Sequence, residues 1–156
     1  MNARTVLRVN AGVVLAIGFA LLIPLALSLI YADGSWNSFL LPSAVMIPTG
    51  VLGILVTAPV GRTAEFVSNR DVYLSVTLAW TLAALAGGVP FLIEGSFDSL
   101  VDSTFEAMSG FTTTGATVLT DVESLDRSLL MWRQFTQWLG GMGIIVLALA
   151  VLPRLR

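Results

Sequence analysis

The sequence predicts an all-α membrane protein: four transmembrane helices, with a short re-entrant helix and loop between the third and the fourth. Three observations carry that reading. Residues of the set AVILMFWYC fill 56% of the 156 positions, with 14 glycines on top of them, where a soluble domain holds about 45–50% apolar residues with its glycines counted. Charged residues are 12%, about half the usual quarter, and mean hydropathy is +0.88, so there is too little polar surface to coat a 16.6 kDa globule in water. The few charges are not scattered either, because they bracket four long uncharged stretches.

A spanning helix needs about 20 mostly apolar residues to cross ~30 Å of hydrocarbon. The uncharged stretches 9–32, 34–61, 72–93 and 134–153 meet that length, which places helices at about 9–31, 39–60, 72–92 and 129–152. The first follows Arg4 and Arg8, as a signal core would, but it is longer than the roughly 7–15 residues of such a core and a second span follows at once. Pro24, Pro48, Pro59 and Pro90 fall in or near spans, where a missing N–H frees a carbonyl one turn back and bends the helix. The chain therefore divides into a helix pair, residues 1–61, and a helix, loop and helix unit, residues 71–153.

Orientation follows from the arginines. Arg4, Arg8, Arg62, Arg70, Arg154 and Arg156 fall on one side, while Asp33, Glu94, Asp98, Asp102, Asp121, Glu123 and Asp126 fall on the other with only Arg127 and Arg133 nearby. Basic residues close to helix ends mark the cytoplasm. A multi-pass protein of the cell (plasma) membrane with both termini cytoplasmic is the expectation. Trp36 and Trp132 come near the outer interface, where indole anchors, whereas Trp80, about 13 Å beyond Asp71 along a helix, is expected to pack on other protein.

Composition also excludes whole classes of function. Without cysteine or histidine there are no disulfides, thiolate nucleophiles, imidazole bases or common transition-metal ligands. All 8 basic residues are arginine, the net charge is -2 and there is no basic run, so nucleic acid is not a partner this sequence predicts. An intramembrane hydrolase would need facing acids or a Ser/Lys pair, but the chain has no lysine and its acids cluster in an outer loop. Neither an enzyme nor an organic cofactor is expected.

A fifth uncharged stretch, 107–120, is too short to span and rich in Thr and Gly, which suits a segment buried in protein at membrane depth. Just before it, Phe97, Leu100, Val101, Thr104, Phe105 and Met108 recur at helical spacing, with Asp98 as expected N-cap, Asp102 near the same end and Gly110 as stop. A helix of about 11 residues is only ~16 Å long. It ends near mid-membrane, and its carbonyl end carries about half a negative charge, which favours a cation. The run Phe111, Thr112, Thr113, Thr114, Gly115, Ala116, Thr117 then has unpaired carbonyls to satisfy. A dehydrated monovalent cation is one partner for them, because hard oxygens without a cage of carboxylates suit low charge better than Ca²⁺. A polar turn in an outer loop is the other reading, and the position between a short capped helix and a full span favours the pore loop.

The elements FEAMSGFTTTGAT and WRQFTQWLGGMGIIVLA, within residues 102–152, closely resemble the first pore repeat of the Trk/Ktr potassium transporter family. Residues 74–90 resemble the outer helix of that repeat, and residues 1–60, more weakly, the helix pair preceding it. The resemblance implies K⁺ as the transported ion, a filter on Thr112, Thr113, Thr114, Gly115 and Ala116 with Thr113 and Thr114 as K⁺ ligands, and a cytoplasmic nucleotide-binding regulatory ring as partner. The family carries four such repeats on one polypeptide, whereas one is present here. The remaining repeats or other copies of the chain are thus implied partners within the bilayer, and a non-conducting assembly piece or a homo-oligomeric channel are the alternatives.

Two charged residues and three glycines lie close to this segment. Glu106 opposes the local helix dipole, so it needs a partner, either backbone N–H groups behind the filter or Arg133, unless it reaches interfacial water. Arg133, one turn into the last span, is expected to snorkel outward. Gly140, Gly141 and Gly143 sit mid-span and serve close packing or a hinge.

Overall fold

A computed structural model describes residues 2–58 and 68–151, the last eight of them as backbone. Pro59, Arg62, Arg154, Arg156 and the expected end of the second helix lie outside the described residues. Six α-helices follow one another: α1 (Ala3–Ala20), α2 (Leu22–Tyr31), α3 (Trp36–Val56), α4 (Asn69–Glu94), α5 (Leu100–Phe111) and α6 (Arg127–Val151). Among the described residues three stretches are long and apolar enough to cross a membrane, namely Ala3–Tyr31, Trp36–Val56 and Asn69–Glu94. There is no strand among them.

The first predicted helix begins six residues early and breaks once. Asn2 caps α1 by accepting from Thr5 N–H, so the helix forms under Arg4 and Arg8, whose charges limit burial in lipid rather than helix formation. The interruption at Leu21 lies three residues before Pro24, which has no N–H to give the Ala20 carbonyl. α4 also starts early, on a capping box in which Ser68 Oγ accepts from Asp71 N–H and the Asp71 carboxylate accepts from Ser68 N–H. Asn2 N–H donates to the same carboxylate at 3.1 Å, which ties the start of α1 to the start of α4.

α1 packs on α3 and α4, α5 lies between α4 and α6, and α2 reaches the start of α6. Glycines allow the closest approaches: a Cβ on Gly50 would stand 2.7 Å from the Leu15 Cβ, and one on Gly88 only 2.8 Å from the Ser103 carbonyl oxygen. One buried cluster joins the helix pair to the rest, with Ile17, Leu21 and Phe39 against Ala83, Phe91, Phe97, Phe111, Leu129 and Trp132. Trp132 departs from expectation. It is fully buried, donates its indole N–H to the Gly87 carbonyl at 2.9 Å and meets Phe111 edge-on, whereas Trp36 is 42% exposed.

Candidate functional site

Helix α5 sets the geometry. Ser99 is its N-cap, accepting from Val101 N–H, with Asp102 in the first turn. The expected cap, Asp98, is one residue too early. A serine in extended conformation takes the cap and the negative charge of Asp102 still meets the positive helix end. The helix also runs through Gly110 to Phe111, because Gly110 is needed for contact rather than for a turn: a Cβ there would lie 2.2 Å from Thr136 Oγ1.

The chain leaves α5 through a Schellman turn. Thr114 N–H donates to the Ser109 carbonyl at 3.0 Å and Thr113 N–H to the Gly110 carbonyl at 2.9 Å. Such a turn puts one residue in the left-handed region, usually glycine, but here it is Thr113 at φ +58, and Gly115 follows at φ +75. A β-branched residue at positive φ is strained, and strain of this kind gathers at functional sites. Among the described residues no group donates to the carbonyls of Thr112, Thr113, Thr114 or Gly115. The Thr112 and Thr114 hydroxyls lie 2.8 Å apart on the same exposed segment. The Ala116 carbonyl is set apart from these four, accepting from Ser109 Oγ at 2.6 Å.

Behind this segment lies a buried ion pair. Glu106 is 2% exposed, and its Oε1 lies 2.6 Å from Arg133 Nε on α6. Its Oε2 accepts from Thr117 Oγ1 at 2.8 Å and from Val118 N–H at 3.4 Å. One carboxylate thus joins α5, α6 and the loop that follows α5. Burying it unpaired would cost several kcal/mol, roughly the ionic desolvation penalty, so all three partners are needed. Arg133 does not snorkel, because this partner holds it in and leaves its side chain only 15% exposed.

The three mid-span glycines are not equivalent. A Cβ on Gly140 would lie 1.9 Å from the Phe111 carbonyl oxygen, so α6 touches the backbone at the very end of α5. At Gly141 the nearest atom is the Thr113 methyl at 3.9 Å, and at Gly143 no described atom comes within 4 Å. From the other side, Gly87 receives the Phe111 ring, with 2.6 Å to a hypothetical Cβ. A cavity of about 360 Å³ lies beside this contact, lined by Trp80, Phe111, Leu139 and Gly140 among others.

Comparison with known proteins decides the family. The cation transport protein family TrkH matches residues 44–156. The chain belongs to the TrkH family. It is 38% identical to the Trk system potassium uptake protein TrkH of Halomonas elongata over 99% of its own length and 32% of that protein's. The corresponding Escherichia coli protein is 36% identical over 98% of this chain and 31% of its own length. The crystal structure of the potassium transporter TrkH from Vibrio parahaemolyticus superposes with a TM-score of 0.87 at 37% identity, covering 98% of this chain and 32% of that one. The chain therefore spans about a third of the TrkH proteins it matches. These TrkH relatives are transporters rather than enzymes by name, and the helices found here are those of a multi-pass membrane protein.

Proposed function

We propose that this chain supplies one of four filter segments of a Trk-type K⁺ uptake pore, with the carbonyls of Thr112, Thr113, Thr114 and Gly115 replacing part of the ion's hydration shell. The observation that carries the reading is the exit turn of α5. Its two left-handed residues leave four consecutive carbonyls without internal donors, at the negative end of a helix dipole. Thr113 and Thr114 are the residues we assign to direct K⁺ contact. Glu106 and Arg133 support the segment from behind, and Gly140 packs the end of α5. α6 is the fourth span, residues 1–61 form a helix pair attached to the repeat of residues 71–153, and both termini face the cytoplasm. The remaining filter segments come from further repeats, since one strand cannot surround an ion, and a cytoplasmic nucleotide-binding ring is the regulatory partner. The lipid bilayer covers the outer faces.

Gly115→Ser tests the assignment in the whole transporter that carries this chain. A side chain at φ +75 is strained and crowds the ion path, so the K⁺ over Na⁺ ratio per folded molecule should fall, while Thr117→Ser, beyond the unpaired carbonyls, should change it little. If Gly115 only closed a turn, the variant would yield less folded protein at an unchanged ratio, which refutes the filter assignment.

A further inference from the structure

The first turn of α6 is capped from outside its own segment. Leu130 N–H donates to the Asp126 carbonyl at 2.9 Å, which makes Asp126 the N-cap residue by position. An aspartate there normally accepts from the N–H of the second or third helical residue. Here its carboxylate accepts from Ser35 Oγ at 2.6 Å instead. The N–H of Ser128, the second helical residue, goes to Asp33 Oδ2 at 3.1 Å, from a residue 95 positions away. Asp33 Oδ1 accepts from Ser35 N–H at 3.3 Å and from Ser28 Oγ. Burial pushes the Asp33 carboxyl up, but these hydrogen bonds together outweigh it and hold the pKa below the usual aspartate value. Arg127 reinforces the same junction, its guanidinium lying 4.9 Å from the centre of the Tyr31 ring.

We infer that Asp33 is a positioning residue for the filter, acting through α6. The inference rests on the filter reading above. Three residues of α6 touch the backing of the filter: Arg133 holds Glu106, Thr136 meets Gly110 and Gly140 meets the Phe111 carbonyl. From Ser128 these contacts lie about 8 to 18 Å along one continuous helix at 1.5 Å per residue, so an axial shift at the cap reaches all three undiminished. Two of them are tight, since neither the Gly140 approach nor the Gly110 approach leaves room for a methyl group. The helix pair thereby helps set the height of the pore-backing helix, with the Asp33 carboxylate taking the backbone N–H of its first turn beside the Ser35–Asp126 and Arg127–Tyr31 contacts. The exchange of partners between Asp33 and Asp126 also makes an unusual demand: removing Ser35 Oγ frees Asp126 to cap its own helix.

The test uses the whole transporter in proteoliposomes, comparing wild type, Asp33→Ala, Ser35→Ala and the double variant, with Gly115→Ser as reference. Two readouts are taken per folded molecule, the K⁺ over Na⁺ ratio and amide exchange at Ser128. Asp33→Ala should lower the ratio and speed exchange at Ser128 about fivefold, the scale of a lost helix cap. Adding Ser35→Ala should restore most of both. If Asp33→Ala folds poorly, Asp33→Asn, which keeps one acceptor oxygen, should give an intermediate ratio. An unchanged ratio for Asp33→Ala beside a lowered one for Gly115→Ser overturns the positioning role and leaves the filter reading standing. A double variant no better than Asp33→Ala overturns it as well, because a merely structural loss accumulates. An unchanged ratio for Gly115→Ser removes the filter reading and this inference with it.

Discussion

Removing the charge of Glu106 alone should cost more than removing both charges of its pair. Glu106→Gln keeps the side-chain shape but leaves the Arg133 guanidinium without a counter-charge in a site where Arg133 is 15% exposed. Deleting one member of a buried pair costs about 3–5 kcal/mol, and the residual exposure of Arg133 puts this case near the lower end, about 3 kcal/mol. Arg133→Gln is milder, about 2 kcal/mol, since the Glu106 carboxylate keeps Thr117 Oγ1 and Val118 N–H as donors. In Glu106→Gln with Arg133→Gln, two neutral amides face each other and no charge is stranded, for a cost of about 2 kcal/mol. The expected coupling is therefore about 3 kcal/mol, measured as a double-mutant cycle by unfolding in mixed detergent micelles. Single-variant costs that simply add in the double variant, within about 0.5 kcal/mol, would refute the paired geometry.

Two further outcomes follow from the same contacts. Gly140→Ala should destabilise the chain by about 1–3 kcal/mol through overpacking on the Phe111 carbonyl, whereas Gly143→Ala should be neutral or stabilise by up to about 1 kcal/mol as helix propensity improves; equal thermal shifts would count against the close approach. The Asp33 carboxyl has a folded pKa below its unfolded value of about 3.9, so its contribution is present above that pH and is lost as pH falls through the lower folded value. Stability of wild type should accordingly fall more steeply than that of Asp33→Asn on going from about pH 4 to pH 3, and parallel curves would refute the role of those hydrogen bonds.

Much of the helix layout is legible because a sparse set of charges punctuates an apolar chain, and Glu94 and Arg127 each stand at a helix end while Asp71 lies in the first turn of α4. Helix starts are less legible. Arg4 and Asn69 lie within helices although the hydrocarbon rule places them outside, since capping by Asn2 and Ser68 follows local hydrogen bonding rather than hydropathy. At the candidate site, Glu106 and Arg133 could be singled out because buried charge is costly, whatever partner it takes. Thr113 could not. Its left-handed backbone is imposed by the turn that closes α5, and threonine gives no local signal for it. Gly87, Gly110 and Trp132 are equally silent, for their roles are contacts made across 24 to 45 positions of sequence. The trans cap by Asp33 is hidden for the same reason, although aspartate and serine flanking glycine at residues 33–35 announce a capping loop.

The central claim is that the carbonyls of Thr112, Thr113, Thr114 and Gly115 carry the ion. Crystals of the whole transporter soaked in Rb⁺ or Tl⁺, heavier ions of similar size to K⁺, locate it directly by anomalous scattering. The filter assignment predicts anomalous density on the pore axis, within coordination distance of the Thr113 and Thr114 carbonyls. Density confined to other sites, with these carbonyls uncoordinated, would contradict it.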